Sequence, residues 1–334
     1  MDPLDPSSFN LKDITLHTGR KYEYCDQTPS EYNDGETPIL VLLHGFPESW
    51  YDWRHQIGPW VRRGWRVIIP SMLGYGGTGK PDDVTLYTPL SLAGEISGFL
   101  DALDIKQSVV VVGHDWGASV AWSFAARYPE RTRALVSLSI PRTPPVSGPL
   151  TTPQTVAYGG RDLLGYRLFF DSPAGAAKIQ SNIPLFIDML YRSRKTVHPE
   201  LFGAGTMDKI MTGKIKNPGS SDLMSREERL FYIKAFQIGG IDKPLNYYRT
   251  TRHLYAIQEE LKLDPVLPSM LPALLIAPDH DPFASDERCE ASKAFVPSLE
   301  VVRVDSAHYI LLEKRDEVTR IVGDWVEKAI EAAK

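Results

Sequence analysis

Cysteine is nearly absent: Cys25 and Cys289 stand far apart and form no C-x-x-C pair. That excludes a disulfide framework and gives no sign of a zinc site, and a reducing cytosol suits such a chain. Positive charge is also short. With 37 Lys and Arg against 42 Asp and Glu the formal net charge is -5, and no basic run breaks the balance, so no nucleic-acid partner is expected. No apolar run approaches the roughly 20 residues that span a bilayer. The N-terminal Met1-Asp2-Pro3-Leu4-Asp5-Pro6 has no basic segment followed by an apolar one, and the C-terminal Glu331-Ala332-Ala333-Lys334 carries no peroxisomal or retention address. A soluble cytoplasmic protein is the expectation. There is no internal repeat or low-complexity tract. What the 334 residues do have is 43% hydrophobic side chains, ample for a large core.

Those apolar residues fall in a strand–helix rhythm. Residues 11–26 read as a strand pair turning at Thr18-Gly19-Arg20, and Pro38 to Leu43, Val67 to Pro70, Ser108 to Val112 and Ala134 to Ile140 read as short buried strands, with helical stretches near 50–62 and 89–103 between them. Alternation of this kind implies right-handed crossovers and a mainly parallel sheet. From Arg142 to about Lys262 no strand is evident, and helical apolar clusters such as 183–190 and 230–238 take over. Strands return at Ala273 to Ala277 and Leu299 to Val304. A last helix sets Val318, Ile321, Val322, Trp325, Val326 and Ala329 on one face, a spacing that docks it on a sheet. The expected organisation is an α/β core over 1–141 and 263–334 with a helical cap, or lid, inserted at 142–262.

Within that rhythm, Val109 to Val112 lead into Gly113-His114-Asp115-Trp116-Gly117 and then a helix-forming stretch. This is the layout of a nucleophile elbow, a strand-to-helix turn whose flanking glycines allow close backbone approach and whose middle residue is thrust into the site. A serine there would attack acyl carbons. An aspartate can displace a leaving group from a saturated carbon and form an ester whose carbonyl belongs to the enzyme, which turns the expected chemistry toward epoxides or halides.

A nucleophilic aspartate needs an oxyanion site, a base for water, a group to orient the base, and an acid for the leaving oxygen. His44-Gly45-Phe46-Pro47 ends an earlier core strand, where the backbone N–H of Phe46 could join that of Trp116 in holding an oxyanion. His44 itself reads as structural. His308, just past the last strand, lies where loops return over the carboxyl ends of an open sheet and is the candidate base. The orienting acid should follow a strand end, and Pro278-Asp279-His280-Asp281 offers two carboxylates. One feature misleads: Gly74-Tyr75-Gly76-Gly77-Thr78-Gly79-Lys80-Pro81 satisfies G-x-G-x-x-G. It runs into a polar Pro-Asp-Asp loop rather than a helix and has Pro81 where a P-loop has Ser or Thr, so it reads as a flexible loop beside the active site.

Taken together, the H-G-F-P at 44–47, the G-H-D-W-G at 113–117, the inserted helices, the acid after the penultimate strand and the late histidine resemble a soluble epoxide hydrolase of the α/β-hydrolase superfamily. The similarity is to a cap-bearing microbial or plant type without an N-terminal phosphatase domain. The resemblance implies the α/β-hydrolase fold, with a mainly parallel eight-stranded sheet flanked by helices. It maps the acid to Asp281 and the base to His308. It also implies two cap tyrosines that bind and protonate the epoxide oxygen: Asn246-Tyr247-Tyr248-Arg249 resembles the family's N-[WY]-Y-R element and points to Tyr248, while Gly165-Tyr166-Arg167-Leu168-Phe169-Phe170 points to Tyr166. A phenol suits that task because it is protonated at neutral pH and can donate to a developing alkoxide. Ser71 departs from the family, whose members often carry Asp there. No cofactor or metal is implied.

Two rival readings remain at this level. A haloalkane dehalogenase shares the aspartate elbow, but it needs N–H donors for the halide. The tryptophans, at 50, 53, 60, 65, 116, 122 and 325, leave none in the cap, and Phe46 occupies the place where many dehalogenases have Asn. A non-catalytic small-molecule receptor on a hydrolase scaffold would have little use for a full set of nucleophile, base and acid. The expected partners are water and an apolar epoxide, lipid-derived or aromatic, in keeping with cap residues such as Phe169, Phe170, Leu185, Phe186, Ile187, Met189 and Leu190.

Overall fold

The computed structural model describes residues 1–143 and 145–332. Ala333 and Lys334, the end of the tetrapeptide read for an address, lie outside the described residues. Eight strands, β1 (Leu11–Thr15), β2 (Lys21–Gln27), β3 (Ile39–Leu43), β4 (Arg66–Pro70), β5 (Val109–His114), β6 (Thr132–Leu138), β7 (Ala273–Pro278) and β8 (Leu299–Val304), form one sheet in the order β1-β2-β4-β3-β5-β6-β7-β8. The pairs β1–β2 and β2–β4 are antiparallel and all others are parallel. This is the α/β-hydrolase fold. Every residue of β3, β5 and β7 is buried, which explains why they read as unbroken aliphatic runs rather than alternating ones: helices cover both faces of the sheet.

The helix Trp116–Arg127 packs on β5 and β6, and the helix Arg54–Arg62 packs on Arg315–Ala332, where the Trp60 indole donates to the Thr319 carbonyl at 3.0 Å. Trp325, read as part of the docked face, is only half-buried, because its indole N–H reaches Glu300 at 2.8 Å at the sheet edge. On the antiparallel side, the Asp26 carboxylate is sealed between Arg66 (2.9 and 3.0 Å) and Lys12 (2.8 Å). Burial alone would raise its pKa, but these cations hold it below the usual carboxylate range.

The chain runs from β3 outward to β4 and then returns to place β5 on the other side of β3. At such a switch point the loops after the two strands diverge and leave a crevice at their carboxyl ends. The loop 44–48 and the turn at Asp115 meet there. The glycine-rich stretch after β4 opens no helix, and it is pinned rather than loose: Thr78 Oγ1 donates to the Ser71 carbonyl at 2.6 Å and accepts from Glu23 N at 3.0 Å, while Gly79 N bonds the Lys21 carbonyl at 2.9 Å.

The chain divides into two compact units, Met1–Gly79 with Pro89–Pro144 and Lys262–Lys334, and Lys80–Thr88 with Pro145–Leu261. Among its described residues the second unit contains helices and no strand. Its turns are built on local caps: Ser172 accepts from Gly175 N at 2.9 Å, and Ser225 and Glu228 form a reciprocal capping box. Inside it, the buried Asp188 takes both Nε and Nη2 of Arg229 at 2.6 Å and the Ser221 N–H at 3.0 Å. Among the described residues no helix is long and apolar enough to cross a membrane.

Candidate active site

Asp115 sits between β5 and the helix Trp116–Arg127 with φ 51° and ψ -121°, a backbone region that a residue with a Cβ rarely enters. The turn can close only because its neighbours lack side chains. A Cβ on Gly117 would lie 2.0 Å from the Leu43 carbonyl oxygen, and one on Gly113 would lie 2.3 Å from that of Gly117. Gly45 is held to glycine from the other side, since a Cβ there would come within 2.4 Å of the Asp115 Cβ. The strain therefore presents the carboxylate at the crevice, directly against the loop after β3.

Its two oxygens have different partners. Oδ1 accepts from the Phe46 backbone N–H at 2.8 Å, and Oδ2 lies 3.4 Å from His308 Nε2. The other ring nitrogen, Nδ1, donates to Asp281 Oδ2 at 2.7 Å. Asp281 follows β7, is fully buried, and keeps its orientation because Oδ1 accepts from Phe283 N at 3.0 Å. Of the two carboxylates in Pro278-Asp279-His280-Asp281, only Asp281 reaches the imidazole; Asp279 is half-exposed, 3.9 Å from Arg303. Trp116 is the first residue of the helix that begins at the aspartate, so its backbone N–H lies in that helix's first turn, next to the Asp115 turn.

Burial would lower the His308 pKa, but the Asp281 charge and the hydrogen bonds to Asp115 and Asp281 raise it well above the ordinary histidine value. Burial would raise that of Asp115, and the same histidine, His114 and the Phe46 N–H hold it below the carboxylate norm. Both shifts favour the charged forms, a protonated imidazole facing the Asp115 carboxylate. His44, by contrast, is pushed down to about 4 by burial, which outweighs the Gly45 carbonyl and the nearby carboxylates. Its Nε2 accepts from Met72 N at 2.9 Å and its Nδ1 donates to the Gly45 carbonyl at 3.1 Å, which makes it a brace for the loop.

A second histidine–carboxylate pair lies beneath the first, and the sequence alone does not point to it. His114 Nδ1 is hydrogen-bonded to Glu48 Oε1, and its Nε2 donates to the His308 carbonyl at 2.8 Å. The other Glu48 oxygen accepts from Gly45 N at 2.6 Å. Burial opposes a charge on His114, but the Glu48 carboxylate outweighs it and raises the pKa. One buried pair therefore fixes both the loop that carries the Phe46 N–H and the loop that carries His308. The available signal was positional: Glu48 directly follows H-G-F-P, and His114 lies within the elbow.

In the helical unit, Tyr166 and Tyr248 are buried and share an edge-to-face contact with ring centroids 5.7 Å apart. Both also pack edge-on against Phe170, at 5.4 and 4.8 Å. The neighbouring Tyr247 turns away and packs on Tyr87 at 5.7 Å. Gly165 admits the Tyr166 helix against the chain at Ala204, whose backbone N a Cβ would approach to 2.2 Å, and Tyr166 N bonds the Phe202 carbonyl at 2.9 Å. Among the described residues no group of three or more His, Cys, Asp or Glu side chains is arranged to hold a metal ion.

The family model described as the alpha/beta hydrolase fold matches residues 38–315. Epoxide hydrolase 3 of Siraitia grosvenorii is 32% identical over 346 residues, covering 98% of this chain and all of that protein. The chain belongs to the α/β-hydrolase family, among the epoxide hydrolases. It is also 30% identical over 332 residues to the Bifunctional epoxide hydrolase 2 of Mus musculus, where the match takes in 98% of this chain and 57% of that longer protein. The crystal structure of Epoxide Hydrolase A from Mycobacterium thermoresistibile superposes with a TM-score of 0.80 at 27% identity, covering 96% of this chain and 98% of that one.

Proposed function

We propose that this protein hydrolyses epoxides to vicinal diols through a covalent ester on Asp115. The observation that carries the proposal is the division of that carboxylate, with one oxygen on the Phe46 N–H and the other facing an imidazole that Asp281 orients. The carboxylate attacks a ring carbon, the carbon–oxygen bond breaks, and the departing oxygen takes a proton from Tyr166 or Tyr248. The helical unit serves as the cap that carries this acid pair. Its edge-to-face contact supports the pairing, because two phenols this close can serve one oxygen.

Esterification also changes the base. Alkylation removes the Asp115 charge, one of the two that raise the His308 pKa, so the imidazole gives up its proton more readily once the ester exists, and that proton, passed through solvent, restores the phenol that served the leaving oxygen. Neutral His308 then takes a proton from water, the hydroxide adds to the ester carbonyl, and the N–H groups of Phe46 and Trp116 hold the oxyanion. Collapse of that adduct expels the alkoxide, which takes the proton of the new carboxyl group, so the diol leaves and the carboxylate is restored beside a protonated His308. The aromatic and aliphatic residues around Phe170 and Phe186 suit an apolar epoxide, lipid-derived or aromatic, and a cytoplasmic setting suits the free thiols of Cys25 and Cys289.

Purified protein incubated with styrene oxide, and separately with 1-bromobutane, tests the reaction class. Phenylethanediol from the first and no bromide from the second is the expected result. Bromide without diol would assign a dehalogenase, and neither product would assign a binding protein.

A further inference from the structure

Tyr248 lies on a helix of four residues, Asn246–Arg249. One turn has no stability of its own, so the direction in which Tyr248 points must come from what surrounds that turn. Much of the surround is supplied by a segment distant in sequence, Lys80–Thr88, which belongs to the same compact unit. This strap forms a short 3-10 turn, Val84–Tyr87, capped by Asp83, whose carboxylate accepts from Thr85 N at 2.9 Å and Thr85 Oγ1 at 2.7 Å. At its end Tyr87 is completely buried.

Tyr87 grips the Tyr248 turn in two ways. Its ring packs edge-on against Tyr247 at 5.7 Å. Its hydroxyl donates to the Pro81 carbonyl at 2.9 Å and is hydrogen-bonded by the Asn246 side chain. Asn246 Oδ1 in turn accepts from Arg249 Nη1 at 2.9 Å, and that guanidinium nitrogen also meets Asp242 Oδ1 at 2.9 Å. Lys243, just before the turn, pairs with Asp82 of the strap. Successive residues on a helix point about 100° apart. Seating Tyr247 on Tyr87 therefore swings Tyr248 onto Phe170 and Tyr166, at 4.8 and 5.7 Å.

The geometry points to Tyr87 as a positioning residue for ring opening, one that aims the Tyr248 hydroxyl through Asn246 and Tyr247 without touching substrate. This rests on the assignment of Tyr248 as a donor to the epoxide oxygen. Tyr87→Phe keeps the ring against Tyr247 and removes only the hydroxyl. A misaimed acid slows the step it serves and no other, so alkylation should fall about tenfold while ester hydrolysis stays unchanged. A merely structural defect would lower the active fraction or slow both steps.

Stopped-flow tryptophan fluorescence with excess styrene oxide resolves the two steps, and adduct titration gives the active fraction. Asn246→Ala breaks the same link from the other side and should show the same split, so one variant that fails to fold does not remove the test. In the Tyr248→Phe background, Tyr87→Phe should add nothing, because there is no hydroxyl left to aim. Unchanged alkylation in Tyr87→Phe and Asn246→Ala, equal slowing of both steps, or a full further tenfold loss in the Tyr87→Phe/Tyr248→Phe protein would each overturn the positioning role. Should Tyr248→Phe itself alkylate at the normal rate, the donor assignment is what fails, and the positioning role falls with it. Slow alkylation in Tyr248→Phe beside a normal Tyr87→Phe removes the positioning role alone.

Discussion

His308→Gln protein mixed with excess styrene oxide should accumulate an adduct of one epoxide mass on the peptide that contains Asp115. Glutamine can occupy the place of the imidazole beside Asp281, but it cannot take a proton from water. Loss of positioned proton transfer costs roughly 10²–10⁴-fold in rate, and here the cost falls on ester hydrolysis. Alkylation uses the carboxylate, which the Phe46 N–H still holds by Oδ1, together with the tyrosine pair, and the substitution removes neither. Intact-protein mass spectrometry followed by peptide mapping reads the outcome. A variant that turns over normally and carries no adduct would remove both the nucleophile and the base from the scheme.

The tyrosine pair should fail in a different way. Two hydroxyls that share one oxygen partly substitute for each other, so Tyr166→Phe and Tyr248→Phe each keep measurable activity with slowed alkylation. The double variant should lose roughly 10²–10⁴-fold, the range for a removed general acid, while remaining folded, since Phe preserves the ring contacts among Tyr166, Tyr248 and Phe170. Tyr247→Phe is the control for register. Tyr247 packs on Tyr87 rather than in the Tyr166 cluster, so its hydroxyl should matter far less. Near-normal alkylation in the double variant, measured by stopped flow, would leave the leaving oxygen without its acid and reopen the question of the leaving group.

The sheet was legible because its strands are covered on both faces, and a covered strand must be aliphatic throughout. Differences arose at strand ends, where backbone geometry decides. β5 runs through Gly113 and His114, and β6 stops at Leu138 because Ser139 takes φ 70°. The elbow was legible for a related reason: a strained turn demands glycines at fixed places, and these are visible in one dimension. The choice between Asp279 and Asp281 was open on the residues alone, since both follow the same strand. Only the direction of the chain after β7 sends one to His308 and leaves the other half-exposed beside Arg303.

Least legible were the supports. Glu48 and His114 are 66 positions apart, and Tyr87 and Asn246 are further apart still. A buried pair of this kind leaves no periodicity, since each partner looks like an ordinary polar residue until the fold brings them together. The glycine-rich stretch at 74–79 misleads in the opposite direction. Its spacing suggests a loose loop, and the structure ties it down through Thr78 and Glu23.

The central claim is that the new oxygen of the diol comes from Asp115 and only later from solvent. A single turnover in ¹⁸O-water, with enzyme in excess over styrene oxide, separates this from direct attack by water on the ring. Unlabelled diol together with ¹⁸O in the Asp115 peptide is the predicted result. Label appearing in the first-turnover diol, with the Asp115 peptide unlabelled, would contradict it.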